Sequence, residues 1–277
     1  MILATDLDRT LLPNGHDLYD GSLPVLFSLL ETKDLSLVYV SGRNKDEFIE
    51  ARKKYGIKKP DYFIAEVGTV MYQLNNSGEL EEVGEWIEKI HDNHPDWNRE
   101  KIVEVLPTDD YLFLQESEHQ NVFKISLYLS EQSRLPQALK DLQSAFESLG
   151  VETKIVESYD PLKELILIDI MPKGVDKLSA LEFLRKKLDN KKEEVFYCGD
   201  SGNDITALTF GYRSVLVGNA PEEIKEEVQK ISDEKGLSDS LYVAQGEVLN
   251  GNYSSGIIEG LVRFGLFTEE EVVECRV

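Results

Sequence analysis

Two aspartates, Asp6 and Asp8, directly follow the first apolar run of the chain, and their types and spacing suit them to chemistry. The run Met1–Thr5 predicts a short buried strand, and open α/β sheets bind their ligands at the carboxyl ends of strands. Two neighbouring carboxylates repel each other unless a cation neutralises them, and Mg²⁺ is a hard cation that prefers oxygen ligands. A solvated turn is the competing interpretation, because Asp and Thr are common turn residues. The pair alone does not decide between the two.

A second acidic loop, Gly199-Asp200-Ser201-Gly202-Asn203-Asp204, follows the apolar run Val195–Cys198. It offers two carboxylates, from Asp200 and Asp204, and its two glycines allow the backbone to turn tightly. An ordinary turn needs only one or two of these residues. The hexapeptide therefore predicts further acidic ligands at the same edge of the sheet as Asp6.

Candidate phosphate-binding groups lie at two other places. Ser41, Gly42 and Arg43 follow the apolar run Leu35–Val40 and offer a hydroxyl, an amide and a guanidinium to phosphate oxygens. For this motif alone, a strand-to-helix turn with a Ser cap is the simpler interpretation.

A lysine near the start of a predicted helix is the second candidate group. Lys177 precedes a helix expected from about Leu178, where a positive charge opposes the helix dipole. A nearby phosphate and carboxylate would explain this unfavourable choice. Lys173 is the competing candidate and lies farther from the helix.

The elements that must position these residues alternate between strand and helix in the first and last parts of the chain. This rhythm predicts an α/β fold with a doubly wound parallel sheet of the Rossmann type. The predicted strands are Met1–Thr5, Leu35–Val40, Tyr62–Val67, Val195–Cys198, Ser214–Val217 and Leu241–Ala244, and the predicted helices include Ser22–Leu30, Lys45–Tyr55 and a last one near Ser255–Phe264.

The middle of the chain has a different pattern. From about Glu79 it becomes polar, and Val122–Leu129 then alternates like a half-buried antiparallel strand. A helix is expected over Ser133–Leu149, followed by strands at Thr153–Ile155 and Leu165–Ile170. We therefore expect a catalytic core of residues 1–79 and 172–277, with an inserted α+β cap of residues 80–171 that gates the site and selects the substrate.

Composition excludes several function classes. The 277 residues carry 30 Lys and Arg against 52 Asp and Glu, a net charge of −22, which repels nucleic acid and anionic membranes. A phosphorylated metabolite would need a metal and a few well-placed cations. No apolar run approaches the roughly 20 residues that span a bilayer, and no basic segment precedes an apolar one at the amino terminus. With only two cysteines, the chain is expected to be cytoplasmic.

The four motifs, each at a predicted strand end or helix start, resemble those of the haloacid dehalogenase (HAD) superfamily of phosphohydrolases. The place and length of the insertion resemble the subclass with a large α/β cap. A closer resemblance is to the sucrose-phosphate phosphatase family, whose members hydrolyse sucrose 6-phosphate to sucrose and phosphate. Two features depart from that family, namely Arg9, where a smaller residue is usual, and the apolar segment Leu165–Pro172. The segments that carry the closer resemblance are Val67–Thr69, Phe123–Ser126, Gly199–Asp204, Gly218–Ala220, Ser255–Leu261 and Phe264–Gly265.

The resemblance implies a role for each motif. Asp6 would be the nucleophile that forms an aspartyl-phosphate, and Asp8 would be the general acid and base. Mg²⁺ would be held by the Asp6 side chain, the Asp8 main-chain carbonyl and Asp200, with Asp204 bound directly or through water. The transferring phosphoryl oxygens would be held by Ser41, Lys177 and Asn203.

Substrate choice follows from the same resemblance. The sugar would be selected by Arg43, beside Ser41 and Gly42, together with Thr69, Lys124 and Asn219. One alternative is a phosphatase for another sugar phosphate, such as a mannosyl or glucosyl conjugate, because the core motifs hold only phosphate and metal. A second is a non-catalytic partner module of a sugar-phosphate synthase. We expect a monomer, and association with such a synthase stays open.

Overall fold

The computed structural model describes residues 1–14, 19–160 and 163–276. In chain order its strands are β1 (Ile2–Thr5), β2 (Ser36–Val40), β3 (Tyr62–Ala65), β4 (Val70–Leu74), β5 (Leu80–Glu82), β6 (Leu112–Leu114), β7 (Ile125–Leu129), β8 (Thr153–Asp160), β9 (Leu165–Pro172), β10 (Val195–Gly199), β11 (Arg213–Leu216) and β12 (Leu241–Val243). Its α-helices are α1 (Ser22–Leu30), α2 (Lys45–Tyr55), α3 (Gly84–Asn93), α4 (Arg99–Val105), α5 (Leu135–Leu149), α6 (Lys177–Lys187), α7 (Ile205–Leu208), α8 (Glu222–Glu234), α9 (Tyr253–Arg263) and α10 (Glu269–Glu274).

The larger sheet has eight strands in the order β12-β11-β10-β1-β2-β3-β4-β5. The first six are parallel, and β4 and β5 extend the sheet antiparallel. Because β10, β1, β2 and β3 are parallel neighbours, their carboxyl ends meet at one edge. The predicted α/β class and its largely parallel sheet are confirmed.

Helices cover both faces of this sheet. Side chains alternate along β1, so that Leu3 packs on one face while Ile2 and Ala4 pack on the other. The face that holds Leu3 is covered by α1, α2, α9 and α10, and the opposite face by α3, α6, α7 and α8. Burial on both faces explains why β1 is a continuous apolar run rather than an alternating one.

A separate antiparallel sheet of four strands, in the order β6-β7-β9-β8, forms the second unit. Apolar residues of α4 and α5, among them Ile102, Leu142 and Phe146, pack on one of its faces. The larger sheet extends to Glu82 through β5, and α3 packs against it through Trp86 and Ile90. The division at residues 80 and 171 stays a prediction.

The structure also corrects several elements expected from the sequence, among them the strand Val122–Leu129, which begins at Ile125 and is buried throughout rather than half-buried. The strand predicted over Tyr62–Val67 ends at Ala65, because Glu66 and Val67 adopt left-handed backbone angles with φ of 50° and 60°. The helix expected last in the chain begins at Tyr253 and is followed by α10. Among the described residues, no helix has the length and apolar character needed to cross a membrane.

Candidate active site

Asp6 lies at the centre of the site, directly after β1. Its main-chain amide donates to the carbonyl of Cys198 on β10 at 2.9 Å, which fixes it at the shared edge of the sheet. Asp6 as a whole is only 4% exposed, and the Lys177 ammonium donates to Oδ1 at 2.8 Å. Burial raises the pKa of Asp6 well above its ordinary value, and Lys177 offsets that rise only in part.

Lys177 is the first residue of α6 and is 1% exposed. Its Nζ donates at 2.8 Å to each of three oxygens, on Asp6, Asn203 and Asp204. Burial alone would lower the pKa of Lys177, but the two carboxylates outweigh it and raise that pKa. The competing candidate Lys173 is 62% exposed and pairs with Glu152. The structure thus brings Lys177, and not Lys173, to the predicted site.

Asp204 organises the acidic loop. Its Oδ1 accepts from Lys177 Nζ and from the Tyr197 hydroxyl at 2.6 Å. Its Oδ2 accepts from the amides of Asp200 and Ser201, both at 3.2 Å, and from the Ser201 hydroxyl at 3.1 Å. A Cβ on Gly199 would lie 2.6 Å from Asp204 Cβ. Position 199 therefore requires glycine because Asp204 lies so close. The backbone angle does not require it, since Gly199 does not have a positive φ.

Asp200 completes a cluster of three buried carboxylates with Asp6 and Asp204, whose ligand atoms lie within 4.8 Å of one another. Its Oδ1 accepts from Thr10 at 2.9 Å, and Arg9 Nε lies 3.7 Å from Oδ2. Burial and the neighbouring Asp204 raise the pKa of Asp200 to about 7. Three buried carboxylates with one ammonium leave an excess of negative charge, and such a donor set fits a hard divalent cation. The chain can therefore hold a metal here.

Asp8 is held by Arg43 from the loop after β2. The guanidinium donates from Nε to Oδ2 at 2.8 Å and from Nη2 to Oδ1 at 2.6 Å, and Asn14 donates to Oδ1 at 2.8 Å. Burial would raise the pKa of Asp8, but these donors outweigh it and lower that pKa. The buried Ser41 hydroxyl accepts from the Arg43 amide at 3.2 Å, and Gly42 lies exposed between them. The loop after β2 therefore contacts Asp8 through Arg43.

A second polar cluster joins the two sheets, and we call it the Glu66 cluster: Glu66, Thr69, Asn121 and Lys124. Lys124 Nζ lies 3.4 Å from Glu66 Oε2 although both residues are buried. Asn121 Nδ2 donates to Glu66 Oε2 and to Thr69 Oγ1, each at 2.8 Å. Burial raises the pKa of Glu66 more than Lys124 lowers it. Thr69 and Lys124, two predicted sugar-binding residues, thus lie in one cluster.

Asn219, the remaining predicted sugar-binding residue, has its amide engaged by the main chain. Its Nδ2 donates to the Arg9 carbonyl at 2.6 Å, and its Oδ1 accepts from the Tyr253 amide at 2.8 Å. Both polar atoms of the side chain are therefore hydrogen-bonded to main-chain groups elsewhere in the chain.

Glu66, Asn121 and Tyr197 contact the site but were not predicted from the sequence as site residues. Thr10 belongs to the first motif, and Glu66 could have been found because it directly precedes the segment Val67–Thr69. Tyr197 read only as an apolar strand residue, and Asn121 precedes Lys124 by three positions in a segment with no recognisable spacing.

Known proteins of similar sequence and fold match nearly the whole chain. The family described as sucrose-6F-phosphate phosphohydrolase matches residues 1–265. A protein of Nitrosococcus oceani named as a HAD-like hydrolase is 34% identical over 268 residues, covering 95% of this chain and 71% of that protein. The solved structure of the sucrose-phosphatase of Synechocystis, in complex with sucrose and phosphate, is 26% identical, with a TM-score of 0.73, and covers 95% of this chain and 97% of that one.

Other relatives differ in their stated substrates and in length. The mannosylfructose-phosphate phosphatase of Agrobacterium fabrum is 28% identical over 96% of this chain and 97% of its own length. The glucosylglycerol-phosphate synthase of Pseudomonas anguilliseptica is 24% identical, and the match covers 98% of this chain but 32% of that protein. The chain also spans only 52–60% of the length of two Arabidopsis thaliana proteins named as probable sucrose-phosphatases.

Proposed function

This chain belongs to the sucrose-6F-phosphate phosphohydrolase family, and from that membership we propose that it is a Mg²⁺-dependent phosphatase that hydrolyses sucrose 6-phosphate to sucrose and phosphate. The observation that carries the proposal is the buried arrangement of Asp6, Lys177 and Asp204 beside Asp200. A carboxylate held by a buried lysine at the edge of a parallel sheet is suited to attack a phosphate, since the ammonium offsets the repulsion between the two anions.

In the first step, an oxygen of Asp6 attacks phosphorus, and the bond between phosphorus and the sugar oxygen breaks. Asp8 gives its proton to the departing sugar oxygen. The product of this step is an aspartyl-phosphate on Asp6. In the second step, Asp8 takes a proton from water, the water oxygen attacks phosphorus, and the bond to Asp6 breaks to release phosphate.

Three further residues hold the transferring group in this proposal. Lys177, Ser41 and Asn203 donate to the phosphoryl oxygens as negative charge spreads over them. Lys177 must then share its three donors between substrate and its present partners, Asp6, Asn203 and Asp204. Five donors already occupy Asp204, so we propose that it orients Lys177 and the loop.

The metal site in this proposal consists of the side chains of Asp6 and Asp200 and the main-chain carbonyl of Asp8. The carboxylate of Asp204 lies next to those of Asp6 and Asp200. Mg²⁺, when bound there, would neutralise charge on the carboxylates and on the phosphate. The buried oxygen donors fit such an ion, because their negative charge exceeds the single positive charge of Lys177.

Sugar recognition is proposed for the Glu66 cluster, because Lys124 and Thr69 lie where the small sheet meets the carboxyl edge of the larger one. Lys124→Ala should raise KM for a disaccharide phosphate more than for p-nitrophenyl phosphate. Lys140→Ala is the matched control, since Lys140 is exposed on α5. An equal change in KM for both substrates would contradict a role of Lys124 in sugar recognition.

The proposed activity is tested by phosphate release from a panel of sugar phosphates, with Mg²⁺ and with EDTA. The panel contains sucrose 6-phosphate, mannosylfructose phosphate and p-nitrophenyl phosphate. We expect the highest kcat/KM for sucrose 6-phosphate and loss of activity with EDTA. A higher value for mannosylfructose phosphate would identify the alternative substrate class, and no release from any of them would contradict a phosphatase.

An association with a sugar-phosphate synthase is a further proposal. It is supported by the synthase of P. anguilliseptica, of which about a third matches this chain. Co-purification of the tagged full chain with a purified sugar-phosphate synthase tests it. Elution of the phosphatase alone, as the expected monomer, would count against a stable complex.

A further inference from the structure

Asn219 joins two loops that are far apart in the sequence. Its side-chain amide donates to the carbonyl of Arg9, in the loop after β1, at 2.6 Å. The oxygen of the same amide accepts from the amide of Tyr253, at the start of α9, at 2.8 Å. Both polar ends of the side chain are therefore used for main-chain contacts.

The two residues that Asn219 joins share an uncommon backbone conformation. Arg9 has φ of 63° and Tyr253 has φ of 50°, both in the left-handed region. Residues with a side chain adopt this region only at a cost in free energy, and they persist there when the surroundings hold them. The Asn219 amide is the side chain that contacts the main chain at both positions.

The Tyr253 end of this connection is firmly fixed. The buried carboxylate of Glu259 accepts from the amides of Gln245 and Gly246, which holds the loop before α9.

The main chain at Gly251, two residues before Tyr253, is also closely packed. The carbonyl of Gly251 accepts from the Gly218 amide at 2.7 Å, and a Cβ on Gly256 would lie 2.2 Å from that same carbonyl. This close packing makes Tyr253 a fixed point for Asn219.

The Arg9 end lies within the catalytic loop. Arg9 stands between Asp8, the proposed general acid and base, and Thr10, whose hydroxyl donates to Asp200 at 2.9 Å. A shift of the Arg9 carbonyl would therefore move Asp8 and loosen the contact to Asp200. Displacements of about 1 Å in a catalytic group can lower a rate by about a hundredfold.

We propose that Asn219 is a positioning residue that fastens the Asp6–Thr10 loop to the fixed start of α9, rather than a contact to the sugar. The inference rests on the proposed phosphatase activity. It assigns Asn219 to the chemical step common to all substrates, whereas a sugar contact would act only on substrates that carry the sugar.

Asn219→Ala separates these roles through kcat and KM. We expect kcat to fall by about tenfold to a hundredfold on both sucrose 6-phosphate and p-nitrophenyl phosphate, with each KM changed by less than about twofold. A raised KM for sucrose 6-phosphate, with unchanged kinetics on p-nitrophenyl phosphate, would overturn the proposal. An inactive wild-type protein would instead count against the proposed function.

Asn219→Asp guards against a variant that fails to fold. It keeps the acceptor for the Tyr253 amide but loses the donor to the Arg9 carbonyl. Because its carboxylate also repels that carbonyl, we expect a urea unfolding transition that is still cooperative and a kcat that falls at least as far as in Asn219→Ala. A wild-type kcat in Asn219→Asp would overturn the proposal.

The backbone role is tested by adding Asn219→Ala to two backgrounds, Arg9→Gly and Arg9→Ala. Both backgrounds lose the guanidinium, but only glycine adopts a left-handed φ without steric cost. We expect the fold-decrease in kcat caused by Asn219→Ala to be about threefold to tenfold smaller in the Arg9→Gly background than in the Arg9→Ala background. An equal loss of kcat in both backgrounds would contradict the proposed hold on Arg9.

Discussion

The guanidinium of Arg43 holds the carboxylate of Asp8 through two hydrogen bonds, at 2.8 and 2.6 Å. A general acid must carry a proton when the leaving group departs, whereas this bidentate contact favours the ionised carboxylate. In the proposed mechanism, Arg43 must therefore weaken its hold before the first step. A residue predicted to contact the sugar thus also lowers the pKa of Asp8.

Arg43→Ala should move the pH dependence of the reaction. Burial raises the pKa of Asp8, and Arg43 is the foremost of the groups that lower it below its ordinary value. Without Arg43 the pKa rises. Because the first step needs protonated Asp8, activity declines as pH rises through this pKa, and the declining limb should shift to higher pH. The measurement is kcat/KM for p-nitrophenyl phosphate across the pH range.

Arg134→Ala is the control for this shift, because Arg134 is 47% exposed and pairs with Glu131 on the surface. Its pH profile should match that of the wild type. An unshifted profile for Arg43→Ala, with a raised KM only for sucrose 6-phosphate, would show that Arg43 contacts the sugar without controlling Asp8.

Lys177→Met should destabilise the fold as well as abolish activity. The variant leaves Asp6 and Asp204 buried side by side without their ammonium, and breaking a buried pair costs about 3–5 kcal/mol. The free energy of unfolding is measured in urea with EDTA, so that no metal compensates. Lys173→Met, which removes an exposed pair, should cost less than about 1 kcal/mol. Equal losses in the two variants would contradict the structural role of Lys177.

Gly199→Ala should disturb the acidic loop without any change of charge. The added Cβ would lie 2.6 Å from Asp204 Cβ and 2.9 Å from its Oδ2, so the carboxylate must move. Overpacking of this kind costs about 1–3 kcal/mol. We expect a lower urea midpoint and a raised Mg²⁺ concentration for half-maximal activity.

Gly84→Ala is the matched control for Gly199→Ala, since nothing lies within 4 Å of a Cβ at Gly84 at the start of α3. Its midpoint should equal or slightly exceed that of the wild type. Wild-type behaviour of Gly199→Ala would show that Asp204 tolerates displacement.

Much of the fold could be predicted from the sequence where local signals agree. The helices α1 and α2 have the predicted bounds, and Asn44 caps the start of α2 in a capping box with Glu47. The motif residues Asp6, Ser41 and Asp200 follow parallel strands that are neighbours in the sheet, so their meeting at one edge was also predictable.

The parts of the fold and of the site that could not be predicted depend on contacts between segments that are distant in the sequence. The end of β3 at Ala65 reflects left-handed angles at Glu66 and Val67, which residue type does not favour. The pairing of Glu66 with Lys124 joins residues 58 positions apart, and no periodicity marks it. Likewise, the hydrogen bonds of Asn219 to Arg9 and Tyr253 depend on how two loops pack, which motif spacing cannot show.

The most direct test of the account is phosphate release from sucrose 6-phosphate by Asp6→Asn in the presence of Mg²⁺. The substitution keeps the shape of the side chain but removes the nucleophilic carboxylate. We predict a rate lower than that of the wild type by about three powers of ten or more, with a urea unfolding transition that is still cooperative. Phosphate release at the wild-type rate would contradict the assignment of Asp6 as the nucleophile and, with it, the mechanism.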